Sequence, residues 1–335
     1  MDCMCMSKNP YGLAFAFGLI CFGISLLLVT SVHTNVMAQE RGANGTWMVG
    51  SPLPNPRTEV TAEYLNDTLY VIGGFTVDGK ITNLVERYNI SSNSWDKNSK
   101  PLPIPLHHAS SATDGNRIYV IGGYTGDWIP SNKLFVYDSN TNNWTTGPSM
   151  PTARGSPVSD FVDGKLYVIG GDSYDNSLSN VETYDPKTEN WTVLASMPTA
   201  RHHAASAAVD GEIYVIGGRT AGSLVNVDIV EKYDPKFDKW TTDYNPMPSK
   251  RSGIGATFLN GSIYVLGGEQ NQGTFNNNER YDPETNTWSL ESPMPTARHG
   301  LGVVSIDDRI FAVGGGPHTG LTVTGQNEIY FLKKN

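Results

Sequence analysis

A pair of adjacent glycines recurs six times along the chain, at Gly73-Gly74, Gly122-Gly123, Gly170-Gly171, Gly217-Gly218, Gly267-Gly268 and Gly314-Gly315. The steps between pairs are 49, 48, 47, 50 and 47 residues. A near-constant period of this size means one supersecondary unit copied six times. Behind each of the first five pairs stand a Tyr and a Trp seven apart: Tyr88/Trp95, Tyr137/Trp144, Tyr184/Trp191, Tyr233/Trp240 and Tyr281/Trp288. The sixth copy has Tyr330 and no Trp after it, whereas Trp47 stands ahead of the first copy.

Each unit reads as four short strands. In the fourth, Ala204–Val209 is small and apolar, which suits a crowded position near an axis. Asp210-Gly211 predicts a tight hairpin, because a primed turn needs positive φ and glycine supplies it. Ile213–Ile216 is a run of β-branched and aromatic residues, as expected of a strand buried on both faces. Val230–Tyr233 gives a third strand, and Asp234-Pro235 turns the chain toward a fourth at Trp240. Six such units predict an all-β fold, a six-bladed β-propeller. Trp47 opens a strand assigned to the last blade, so that one N-terminal strand and three C-terminal strands close the ring and leave no edge unpaired.

The double Gly, the Tyr-x6-Trp pair and the Asp-Gly turn resemble kelch repeats. The resemblance covers Trp47 to Tyr330. It is specific for fold and says little about function, because propellers host binding modules and several unrelated enzymes.

Before the repeats, Tyr11–Val32 is 22 residues without a charge. It is long enough to span a bilayer, and it equally suits the apolar core of a secretory signal with cleavage after Ala38. Residues 1–38 are therefore expected to be a signal peptide or a membrane anchor, 39–46 a polar linker and 47–335 the propeller. Either reading exports the propeller to the cell surface or the extracellular space. Cys3, Cys5 and Cys21 lie in that first segment, so the propeller holds no thiol and no disulfide. Asn-x-Ser/Thr triplets at Asn44, Asn66, Asn89, Asn143, Asn190 and Asn260 are potential glycan acceptors in an exported chain. The net charge of −9 argues against nucleic acid and anionic membrane as partners, since both need basic patches.

Two positions vary together. Arg57, Arg154, Arg201, Arg251 and Arg298 stand 16 residues before their double glycines, and unit two has Leu106 there. Two residues before the repeat Tyr are Glu86, Glu182, Glu231, Glu279 and Glu328, and unit two has Phe135. Five Arg with Glu, and one Leu with Phe, predict a contact: the Arg reaches the Glu across the double glycine. The competing reading, a ring of arginines for anionic ligands, is less consistent with this covariation.

By strand alternation, the turns entering strand one and the loops after the glycines open on one face, the top mouth. In the kelch domains it resembles, this mouth is the usual ligand site. Directly after the Arg position come Thr58, His107, Gly155, His202, Ser252 and His299. One further on are Glu59, His108, Ser156, His203, Gly253 and Gly300, and directly after the double Gly are Phe75, Tyr124, Asp172, Arg219, Glu269 and Gly316. Five of the seven histidines fall in this band. The candidate ligand-binding residues are His107, His202, His299, Tyr124, Trp128, Asp172, Arg219 and Glu269, with Trp128 offering a stacking surface. Histidines near their ordinary pKa would make binding respond to mild acid. His107, His202 and His299 form a pseudo-threefold trio, yet a propeller channel is wide for metal bonds of about 2.1 Å, and no metal or cofactor is expected.

Two function classes follow. The first is an exported, monomeric binding module for a protein partner or a polar small molecule or glycan. The second is an exported enzyme resembling six-bladed kelch mutarotases of acidic sugars, with Arg219 and Glu269 at the mouth. No nucleophile-base arrangement singles out catalysis, so no catalytic residue is assigned and binding is preferred. A copper-radical oxidase of the galactose-oxidase kind, which also carries kelch repeats, needs a Tyr cross-linked to Cys and is excluded.

Overall fold

A computed structural model describes residues 45–332 except 97–98, 175 and 221–224. The expectations for residues 1–38, for the linker through residue 44 and for Asn44 lie outside these residues. Among the described residues no helix is long and apolar enough to cross a membrane.

The described strands form six four-stranded antiparallel sheets and three two-stranded ones. Blade four is typical: Ala205–Val209, Glu212–Ile216, Val230–Asp234 and Lys239–Thr241 pair in chain order. Its hairpin has positive φ at both Asp210 and Gly211, as a type I′ turn requires. The first strands of neighbouring blades touch one another and line a central channel, so the small side chains face the axis.

The ring closes as expected. Thr46–Val49 pairs antiparallel with Asn327–Phe331, with Trp47 opposite Tyr330. The blade is completed by Gly302–Ile306 and Arg309–Val313. The Trp47 and Tyr330 rings lie 5.1 Å apart, and the other five Tyr/Trp pairs lie 4.9–5.2 Å apart in the same cross-strand position. Each Trp also ties its blade to the one before. Trp240 Nε1 donates to the Ala195 carbonyl, and Trp47 Nε1 donates to the Ser292 carbonyl at 2.8 Å.

The core is distributed. Six apolar clusters each combine residues from two adjacent blades, including one between blades six and one that joins Phe311 and Val313 to Val71 and Tyr88. No blade holds a core of its own, so each depends on both neighbours.

The double glycine has a steric reason. Gly170 and Gly171 adopt φ of +64° and +105°. A Cβ on them would stand 2.7 Å from the Arg201 carbonyl oxygen and 2.8 Å from that of Gly155. Beside this bend run the paired charges. Arg57–Glu86, Arg154–Glu182, Arg251–Glu279 and Arg298–Glu328 are joined at 2.5–2.8 Å, and Arg201 contacts Glu231 in the same way. All ten side chains are buried. Arg57 also donates to the carbonyls of Gly73 and Leu84, so the guanidinium fastens the strand-two bend to the loop that follows it. In unit two Leu106 and Phe135 lie in one apolar cluster. A third position belongs to this set. Asn55, Thr152, Thr199, Ser249 and Thr296 each donate a hydrogen bond to the glutamate's other oxygen, and unit two has Ile104 there, packed on the same cluster as Leu106.

Candidate functional site at the channel mouth

The two bands of mouth residues are bonded to each other. Thr58 bridges Phe75, His107 bridges Tyr124, Gly155 bridges Asp172, His202 bridges Arg219, Ser252 bridges Glu269 and His299 bridges Gly316. Inside this rim lies a second circle. The backbone N–H of Glu59 donates to Gly300, His108 to Glu59, Ser156 to His108, His203 to Ser156, Gly253 to His203 and Gly300 to Gly253, at 2.8–3.3 Å. Six peptide groups thus form a closed collar around the axis. Every collar residue has positive φ, between 50° and 63°.

Side chains of the collar and rim converge. His108 Nε2 lies 3.1 Å from Glu59 Oε2, and His299 Nε2 lies 3.4 Å from Glu59 Oε1 and 3.7 Å from Glu269 Oε2. Arg219 lies between Glu269, at 3.2 Å, and His203 Nε2, at 2.9 Å. His107 Nδ1 is 2.6 Å from His108 Nδ1, and His202 Nδ1 is 2.5 Å from His203 Nδ1. On one side Tyr124 donates to Asp172 at 2.6 Å, and the Trp128 ring meets those of Phe75, His107, His108 and Tyr124. Trp128 is 51% exposed and forms a wall of the mouth. Gly155 makes room for Tyr124, whose ring occupies the place a Cβ would take.

All eight candidate residues therefore lie at this mouth, and they form three groups. Arg219, Glu269 and His299 meet around Glu59. His107, Tyr124, Trp128 and Asp172 form an aromatic wall with one carboxylate. His202 backs His203. The trio His107, His202 and His299 does not converge ring to ring; each of its members contacts a different neighbour. The centre is held instead by Glu59, His108 and His203, one position further along. Gly253 and Gly300 at the equivalent places were the available signal, since glycine there marks a backbone with positive φ.

The expected response to mild acid needs correction. Burial pushes His107 down to about 3, and burial together with the Arg219 charge pushes His202 down to about 4. Burial and neighbouring positive groups hold His108 and His203 well below the ordinary imidazole range. His107 and His202 therefore stay neutral at mildly acidic pH. Burial raises the Glu59 carboxyl.

On the channel side of the collar is a cavity of about 500 Å³, lined by the innermost strands. It contains two acids absent from the sequence expectation, Glu63 and Asp160. Burial raises them to about 8 and about 7, against the hydrogen bonds donated by Ser111 and Ser206. Both carboxyls hold a proton more tightly folded than unfolded. The stability they govern is greatest below the unfolded value near 4, and it falls as pH rises through about 7 to 8. Glu63→Gln should therefore stabilise the domain at about pH 8, by roughly 1–3 kcal/mol, and flatten the decline in melting temperature between about pH 5 and pH 8. An unchanged slope in calorimetry would show that Glu63 is not protonated in the fold.

With this geometry in place, comparison with known proteins decides the family. A model of the calicin β-propeller domain matches residues 65–244, and the kelch motif matches residues 250–295. The chain belongs to the kelch β-propeller family. Kelch-like protein terF of Aspergillus terreus is 33% identical over 291 residues, which are 78% of this chain and 63% of that protein. Kelch-like protein 23 of Homo sapiens is 41% identical over 64 residues, 18% of this chain and 11% of that protein. The chain thus spans less than two thirds of the curated kelch relatives it matches. The solved structure of YjhT superposes with a TM-score of 0.73 at 18% identity, covering 85% of this chain and 97% of that one, a likeness of fold. Kelch propellers commonly act as protein-interaction modules.

Proposed function

We propose that this kelch propeller is an exported binding module that takes a polar group of a protein partner or glycan into the mouth, with Arg219 and Glu269 orienting it and Trp128 stacking beside it. One contrast carries this reading. Five arginines are buried and locked to glutamates, whereas Arg219 is 18% exposed at the mouth, flanked by a carboxylate and a neutral imidazole. A cation held that way, at a mouth that also carries an exposed indole, can exchange part of its pairing for a ligand carboxylate or hydroxyl. The collar keeps these side chains at fixed spacing, so binding costs little reorganisation. The charge-free segment ahead of the repeats supports export, as do the exposed asparagines at Asn66, Asn89, Asn143, Asn190 and Asn260.

The test is a panel of acidic and neutral peptides and glycans against the soluble propeller. Arg219→Ala and Trp128→Ala should each weaken a bound ligand about tenfold or more, since a desolvated charge-assisted contact or a stacked aromatic carries roughly that much. Their melting temperatures should stay near that of the parent. Normal binding by both variants, with loss on substitution at the Asp210-Gly211 hairpin face, would move the site to the other end. Anomeric exchange of an acidic sugar, followed by NMR with the same protein, would replace the binding reading with a catalytic one.

A further inference from the structure

We infer that Glu59, His108 and His203 form a binding site for a divalent transition metal on the floor of the mouth. This goes beyond the proposed recognition of a polar group and does not depend on it. The three side chains offer one carboxylate oxygen and two imidazole nitrogens, all within 4.8 Å of one another. Ligands at about 2.1 Å from a tetrahedral ion stand about 3.4 Å apart. The His108–Glu59 separation of 3.1 Å already has that spacing, and a small movement of the carboxylate gathers the rest. Two histidines with one carboxylate suit first-row ions such as Zn, Co and Fe(II).

Three independent features point to a cation there. The first is the orientation of the rings. A metal-binding histidine usually donates its other N–H to an outer partner, which fixes the tautomer. His108 and His203 both have that partner, Nδ1 of the preceding histidine in each case. In blade two the two Nδ1 atoms share one hydrogen bond at 2.6 Å, which leaves His108 Nε2 facing Glu59.

The second feature is a surplus of acceptors. His299 Nδ1 donates to the Gly316 carbonyl at 3.1 Å, which leaves its Nε2 lone pair facing Glu59 and Glu269. Nε2 of His108 and of His299 and the oxygens of two carboxylates meet in one place, and the neighbouring cation, Arg219, contacts Glu269 and His203 instead of Glu59. The third is rigidity. Glu59 and His108 are joined directly through the backbone collar, and His203 through Ser156, so the ligand-bearing Cα atoms are fixed before any ion arrives.

Arg219 sets the opposing condition. Its Nη2 lies 2.9 Å from His203 Nε2, so it must withdraw onto Glu269 when the ion binds. Removing this charge should therefore tighten metal binding while weakening an acidic ligand. That opposite response separates the two readings.

The experiment uses the purified full chain, stripped with chelator and titrated with Co2+, then with Zn2+ in competition. We expect one Co2+ per chain, with visible d–d absorption that Zn2+ abolishes. His108→Ala and His203→Ala should remove the signal, and Glu59→Gln should weaken binding tenfold or more. His202→Ala should weaken it about 10- to 100-fold, as loss of an outer-shell partner does. Arg219→Ala should tighten it about tenfold, from removal of a like charge close to the ion. His318→Ala, at an exposed histidine outside the cluster, should bind like the parent. Circular dichroism checks folding; if either first-named histidine variant fails to fold, Glu59→Gln and Arg219→Ala decide. Absence of stoichiometric binding by the parent overturns the site. So does binding that is indifferent to Glu59→Gln, or that Arg219→Ala weakens.

Discussion

Arg201→Leu should destabilise the domain by about 3–5 kcal/mol, the usual consequence of leaving one member of a buried ion pair without its partner. Glu231 would keep its charge in the interior, with Thr199 as its remaining side-chain donor. The carbonyl of Val215 would lose its guanidinium donor as well. The triple change Arg201→Leu, Glu231→Phe and Thr199→Ile should restore most of that loss, because blade two already builds this corner from Ile104, Leu106 and Phe135. Well-packed apolar replacements of a buried pair are often neutral. Urea unfolding of the parent, the single variant and the triple variant is the measurement. A triple variant as unstable as the single one would mean that the blade-two corner depends on neighbours specific to that blade.

Opening the ring should have a comparable or larger effect. Trp47→Ala removes a buried indole, its contact with Tyr330 and its hydrogen bond to Ser292, and should cost about 3–5 kcal/mol. Deletion through Val49 goes further, since it also strips the backbone partner from Asn327–Phe331. The damage should spread, because each apolar cluster is shared between blades and blade six rests on both five and one. We expect a melting temperature lower by about 10 °C or more, in a single transition. A separate early transition confined to blade six would show that the blades unfold independently.

Both predictions rest on features readable before any coordinates. The Arg/Glu and Leu/Phe exchange in unit two is a contact written into one sequence, and Trp47 with Tyr330 declares how the ring closes. The third member of the buried corner escaped notice because Asn, Ser and Thr beside a proline or a turn look like ordinary turn residues. The turns and loops named from the sequence do share one face, and the side chains that meet at its centre stand one residue further along. Strand alternation carries no information about a left-handed backbone at Glu59, His108 and His203, which turns these side chains toward one another. Glu63 and Asp160 were missed for another reason. Each is a single acid in an innermost strand, and their sharing of one channel depends on the diameter of the ring, which no spacing within a unit reveals.

The collar restricts how this mouth can diversify. From Arg to the first glycine the count is always 16 residues, as with Arg57 to Gly73 and Arg298 to Gly314. An insertion there in any unit would break a circle to which all six units contribute. The segment from the glycines to the repeat Tyr is under no such constraint and already differs in length among blades. New sequence grafted between Thr76 and Lys80, or between His318 and Thr322, would hang from a foundation that stays level. Recognition in this molecule can therefore be rewritten at its loops without retuning its frame.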